Sequence, residues 1–298
     1  MNKLRIGITL FLVALSLLVS AAPTGRRQAA DQRVSDVIYL KKAGYALTMD
    51  VFRPEKPNGI GVIYMVSGGW VSDHNSISPD IAKVFTSRGM TVFEVVHGAQ
   101  PRFNVTEIVD QIHRAVRFVR ANAATYGVDP NRLAITGGSA GGHLSLMMAT
   151  KGGPGSSTSA DLVDRASSEV QSVGIFFPPT DMLNYGKEGV KAFEVPALRI
   201  FWPAFGMTTT TPAERAETLG RELSPIYFAS AKTPPVLIAH GDADPLVPLQ
   251  QSQIFIAKLQ SLGVKNKLIV VPGGAHGWPN MVPQLNQIAD WFEETLKK

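Results

Sequence analysis

The chain has 298 residues, 45% of them hydrophobic and 18% charged, and no cysteine. That is a globular composition, long enough to bury a substantial core without staples, and it excludes disulfides, Cys-ligated zinc and thiol catalysis. The formal net charge of +5 carries no clustered basic stripe, so no nucleic-acid partner is expected.

Lys3 and Arg5 precede an apolar run over residues 6–19, followed by the small residues Ser20, Ala21 and Ala22. The run is too short to span a bilayer comfortably and predicts a secretory signal cut near Ala21, with an uncleaved anchor as the alternative. A cleaved chain is expected in a periplasm or outside the cell, without stable membrane association. Residues 22–33 are polar and small and are expected to form a flexible leader, with a single folded domain over 34–298.

Strand-like runs follow at 37–40, 45–52, 61–66 and 91–96, with a helix at 79–88 before the last of them. After Thr106, the expected N-cap, Ile108, Ile112, Ala115, Val116 and Val119 fall on one helical face. A short strand at 133–136 runs through glycines into a helix at 140–149. Later strands are expected at 173–177, 236–239 and 267–271, and helices at 248–262 and 283–296, the last burying Leu285, Ile288, Ala289, Phe292 and Leu296. Apolar strands alternating with amphipathic helices predict an α/β fold: a mostly parallel central sheet with helices on both faces and an antiparallel start.

Two segments break the rhythm, the Gly/Ser-rich 151–168 and a stretch over 181–222 containing Phe193, Phe201, Trp202 and Phe205. The second reads as a small helical insertion over the carboxyl edge of the sheet. Its aromatics either pack it onto the body or line a cleft.

Gly137-Gly138-Ser139-Ala140-Gly141 fits G-x-S-x-G between a strand and a helix. A strand that reverses sharply into a helix needs glycines where side chains would collide, and it leaves a serine hydroxyl exposed near a helix N-terminus. An ordinary phosphate-cradling loop is the bland alternative. A serine nucleophile needs a base, and there are six histidines. His143 shares the helix of Ser139 and cannot readily reach back over it; His113 reads as surface or rim; His74 lies in a loop that can touch substrate. His97 and His240 end strands at the carboxyl edge, as near-site candidates or structural hydrogen-bonders. His276 sits in the glycine-rich loop 273–278 after the last strand, well placed to deliver an imidazole.

The loop 240–248 offers two carboxylates to orient His276. Asp244 is the choice and Asp242 the alternative. The order Ser139, Asp244, His276 is that of α/β-hydrolases. Oxyanion donors are expected from the amides of Gly69 and Trp70, in a glycine loop after the strand 61–66, and of Ala140, just past the nucleophile.

With the runs 45–54, 67–70, 126–132, 137–143, 240–248 and 274–277, the sequence resembles the α/β-hydrolase superfamily, specifically secreted esterases of the hormone-sensitive-lipase and acetyl xylan/feruloyl esterase (BD-FAE-like) kind, over roughly residues 36–296. The resemblance implies an α/β-hydrolase fold and a serine esterase needing no metal or organic cofactor. Its implied substrate is a small-molecule or saccharide ester with a short or aromatic acyl group, including acylated plant polysaccharides, beside a generalist small-ester esterase. A prolyl-oligopeptidase-like peptidase and a non-catalytic binding fold are the other readings. Two departures stand out: Ser67 opens the loop where the family usually has His-Gly-Gly, and Val96-His97-Gly98 replaces the common Tyr-Arg-Leu strand end. The second suggests His97 beside the acyl or leaving group, with Trp202 and Trp278 as further substrate contacts.

Overall fold

Gln32 opens the first strand of the computed structural model, which describes residues 32–297; the signal segment, its cleavage point and the leader up to residue 31 lie outside the described residues. Strand β1 (Gln32–Lys42) and strand β2 (Tyr45–Arg53) form an antiparallel hairpin. Its two turn residues, Ala43 and Gly44, both have positive φ (47° and 78°), the backbone twist that two-residue hairpins demand. Strand pairing thus starts at Gln32, so Gln32 and Arg33 belong to β1 and not to a leader: Arg33 Nε donates to the buried Asp50 carboxylate at 2.5 Å across the hairpin.

Strands β3 (Gly59–Val66), β4 (Thr91–Val96), β5 (Val128–Gly138), β6 (Ser172–Phe176), β7 (Val236–Gly241) and β8 (Asn266–Val271) complete one eight-stranded sheet. Its order is β1-β2-β4-β3-β5-β6-β7-β8, with the β1–β2 and β2–β4 pairs antiparallel and the rest parallel. The inner strands β4, β6 and β7 are buried at every residue, which is why they read as largely apolar runs; the edge strand β1 is mostly exposed and β8 partly so.

Helices α1 (Pro79–Thr86) and α6 (Val282–Thr295) cover one face through Ala82, Phe85, Ile288 and Phe292. Helices α2 (Val105–Ala121), α3 (Ala140–Lys151) and α5 (Gln250–Ser261) cover the other, where Ile108, Ile112, Leu144 and Phe255 meet Ile63, Met65, Phe93 and Ile135. The N-cap of α2 is Asn104, not Thr106. Asn104 and Glu107 form a reciprocal capping box, because only from Asn104 does a glutamate fall at the third helical position.

The insertion over 181–222 consists of 3₁₀ turns at Ala192–Glu194 and Pro196–Phe205 followed by helix α4 (Ala213–Glu222). Among the described residues, no helix is long and apolar enough to cross a membrane.

Candidate active site

The elbow follows from sterics. Strand β5 ends at Gly138, α3 begins at Ala140, and Ser139 between them has φ 54° and ψ −119°. A left-handed non-glycine backbone costs roughly 1–3 kcal/mol, so its surroundings must hold it; here the Ser139 amide donates to Phe176 O at 3.0 Å in the next strand. A Cβ at Gly137 would lie 2.8 Å from the carbonyl carbon of Gly141, and one at Gly141 would lie 2.9 Å from Met65 O. Only glycine permits so tight a reversal.

Two further loops converge on Ser139. The turn after β8 crosses the β7 end so closely that a Cβ on Gly241 would collide with the Gly274 carbonyl, and this brings His276 over the elbow. Its Nε2 lies 2.8 Å from Ser139 Oγ and its Nδ1 2.7 Å from Asp244 Oδ2. With Nδ1–H donating to the carboxylate, Nε2 is left to accept the serine proton. The Phe177 ring packs 4.5 Å from the imidazole and limits its swing.

The side chain of Asp244 is fully buried. Its Oδ1 accepts the amides of Leu246 and Val247 at 2.8 and 2.9 Å, and its Oδ2 accepts from His276. His240 Nε2–H, donated to Val247 O at 2.9 Å, also lies 3.3 Å from Oδ2. Burial alone would raise this carboxyl, but the hydrogen bonds from His240 and His276 outweigh it and hold Asp244 well below the usual carboxylate range. Asp242 instead is exposed and accepts the Gly273 amide at 2.6 Å, tying down the loop that carries His276.

The turn after β3 carries consecutive positive φ at Gly69 (57°) and Trp70 (59°). Gly68 and Val71 close it with mutual backbone bonds, while Gln100 donates from its amide to Trp70 O and from its side chain to Gly69 O. The carbonyls of the turn are thereby used, and among the described residues the amides of Gly69 and Trp70 have no protein acceptor. Ser72 Oγ donates to Val66 O and accepts the His97 amide, binding the turn to the ends of β3 and β4. These contacts anchor the loop, although Ser67 Oγ has no protein partner.

A mostly apolar cleft opens beside Ser139, lined by Gly69, Trp70, Met182 and Tyr185 and by the insertion's Phe193, Phe201, Trp202 and Phe205. The insertion's aromatics therefore do both things expected of them: Phe193 and Phe205 pack edge to face at 5.0 Å and also wall the cleft.

Three predicted placements need correction. His97 does not reach the cleft: it is buried, its Nδ1–H donates to Gly98 O at 2.7 Å, and burial pulls its pKa down to about 4. As the residue after β4, it points to the α2 side of the sheet and not along the strand axis. Trp278 is turned away too, donating to Gln284 and packing on Phe176 and Phe177. His74 contacts Thr48 at 2.7 Å on β2, three strands from β5 in the sheet order. Of the rest, His113 is partly buried against Ser168 Oγ, and His143 is fully buried. Sequence reasoning missed Gln100, which sits in an irregular loop with no motif, and the second donor to Asp244, which the four-residue spacing of His240, at the end of β7, and Asp244 foreshadows.

A strained serine elbow with a histidine and a buried acid at the carboxyl edge of such a sheet defines an α/β-hydrolase fold. The BD-FAE family model matches residues 49–259, and the chain belongs to that family, among the α/β-hydrolase esterases. It is similar to Esterase LipQ of Mycobacterium tuberculosis, 29% identical over 80% of this chain and 55% of LipQ, and so spans about half the length of that relative. It is also 25% identical to an ethyl acetate hydrolase of Pseudomonas putida, over 83% of this chain and 76% of that one. Among solved structures it resembles the truncated form of a carbohydrate esterase from gut microbiota, with TM-score 0.74 and 25% identity, covering 92% of this chain and 99% of the other.

Proposed function

We propose that this chain is an exported serine carboxylic-ester hydrolase in which Ser139 is the nucleophile, His276 the general base and acid, and Asp244 the orienting carboxylate. One observation carries the reading: the continuous hydrogen-bonded relay from Ser139 Oγ through both nitrogens of His276 to a buried carboxylate, at the mouth of an apolar cleft.

In this reaction Ser139 Oγ attacks the acyl carbon while its proton passes to His276 Nε2. Asp244 fixes the imidazole tautomer and stabilises the imidazolium that forms. The negative charge on the acyl oxygen is met by the amides of Gly69, Trp70 and Ala140; the last opens α3, so the positive end of the helix dipole adds to it. His276 returns its proton to the departing alcohol. Water then enters by the same route and gives a proton to His276 as its oxygen adds to the acyl carbon; the acyl–Oγ bond breaks, His276 returns the proton to Ser139 Oγ, and the acyl group leaves as a carboxylic acid.

The aromatic walls of the cleft favour a compact apolar or aromatic acyl group. The named activities of the ethyl acetate hydrolase and the carbohydrate esterase support small alkyl esters and saccharide esters, including acylated polysaccharides, as the classes to try. Export rests on Lys3, Arg5 and the apolar run before Ala21.

Hydrolysis of p-nitrophenyl acetate, butyrate and octanoate and of methyl ferulate tests the reading, with Ser139→Ala alongside. Turnover is expected on the shorter or aromatic acyl groups and a loss of about 10⁶-fold in the variant. Wild-type inactivity on every ester, or undiminished turnover in Ser139→Ala, would overturn it.

A further inference from the structure

Trp70 contributes a backbone amide to the site, yet its left-handed conformation is unusual for a large side chain and must be held by something other than its own backbone preference. The holding group is on the nucleophile's helix. Trp70 is buried, and its indole sits edge to face with Phe201 at 5.6 Å, Phe205 at 4.9 Å and the His143 ring at 5.5 Å. Its Nε1–H donates to His143 Nδ1 at 3.2 Å. On the far side, His143 Nε2–H donates at 2.7 Å to the carbonyl of Leu223, the C-cap residue that follows α4. The His143 amide donates to Ser139 O at 2.9 Å in the first turn of α3.

We infer that His143 is a positioning residue for the reaction: it clamps the indole of Trp70 and thereby holds the Trp70 and Gly69 amides where the oxyanion develops. The inference rests on the serine-esterase reading above. The clamp requires one imidazole nitrogen to accept and the other to donate, so only the neutral ring with its proton on Nε2 fits both partners. Full burial disfavours the cation and pulls the pKa of His143 down to about 4, which keeps that tautomer in place at neutral pH. A Cβ on Gly69 would lie 2.7 Å from the Phe201 ring, so the insertion leaves the turn no slack on its other side. One imidazole therefore joins the nucleophile's helix, the oxyanion turn and the insertion.

The test is a cycle of Trp70→Phe, His143→Phe and the double variant, each retaining aromatic bulk while deleting the hydrogen bond. Active sites are first counted from the stoichiometric p-nitrophenolate released by a p-nitrophenyl phosphate triester, and kcat for p-nitrophenyl acetate is then expressed per titrated site. Each single variant is expected to lose about 10-fold in kcat with KM within about two-fold, and the double variant to lose no more than either single one. Unchanged kcat per titrated site with only a lower Tm would make His143 a structural residue and overturn the inference, as would single losses that multiply in the double variant. Trp70→Phe alone decides the matter if either His143 variant fails to fold. A wild-type protein that neither reacts with the triester nor hydrolyses the ester would instead overturn the underlying serine-esterase reading.

Discussion

Asp244, after β7, and Glu94, in the middle of β4, are both carboxyls with fully buried side chains, and they behave in opposite ways. Asp244 is met by two backbone amides and two imidazoles and is held ionised. Glu94 accepts one amide, that of Ser78 at 2.7 Å, and its Oε1 has no protein partner. Its register neighbours are Asp50 on β2 and Tyr64 on β3. Burial is therefore the dominant influence, assisted by the Asp50 charge, and it pushes Glu94 up to about 8 despite the Ser78 bond and the Arg33 charge. Burial sets the cost of a charge, and the number of aimed donors decides whether the charge survives. The difference separates the site from the scaffold: several donors gather where the proposed chemistry needs a fixed anion, and a single amide meets the acid that the sheet merely encloses.

The largest expected effect of breaking the comparison comes from neutralising Asp244. Asp244→Asn keeps the shape but turns an amide donor toward His276, and kcat for p-nitrophenyl acetate should fall by about 10⁴-fold. Asp242→Asn, which removes the charge but keeps an oxygen able to accept the Gly273 amide, should stay within about 10-fold of wild type; equal losses in the two variants would refute the assignment.

Removing one donor from Asp244 should cost less. In His240→Phe the carboxylate keeps His276 and both amides but loses the 3.3 Å contact, so its pKa rises toward the ordinary value. Activity at acid pH should fall, while near neutrality, where a carboxyl of even the ordinary pKa stays ionised, kcat/KM should stay close to wild type; a pH profile superimposable on wild type would show that His240 contributes nothing to the carboxylate.

The smallest effect on activity, and the clearest on stability, is expected at Glu94. Its folded pKa of about 8 lies above the unfolded value near 4.3, so between those values the folded state binds the extra proton. Stability is then fully present below about pH 4 and drains away as pH rises through 8. Glu94→Gln removes this penalty. Its Tm should exceed that of wild type by several degrees at pH 9 and match it near pH 4.5, with kcat unchanged at neutral pH; a Tm difference independent of pH would sink this account.

Much of the site was legible because local sterics write it into the chain. Gly137 and Gly141 are demanded by contacts below 3 Å, and such a demand leaves a motif. The choice between Asp244 and Asp242 was not legible. Both lie in one loop after β7, and only the crossing of the β8 loop over Gly241 determines which carboxylate faces His276. His97 was misplaced because a strand end reveals the edge of the sheet and not the face, and Trp278 because a loop tryptophan finds its packing partners only in three dimensions. Glu94 is the lone charged residue of the strand Thr91–Val96, but its protonation depends on what the neighbouring strands bring to it.

By itself, then, the sequence determined the strands, the helices, the elbow and the order of nucleophile, acid and base. These depend on periodicity and on backbone sterics within a few residues. Only the tertiary structure decided which carboxylate orients His276, how Gln100 and His143 hold the turn at Trp70, and which buried acid stays charged. Each of those outcomes depends on hydrogen-bond donors and low-dielectric surroundings supplied by segments tens to hundreds of residues away, whose arrival no local pattern encodes.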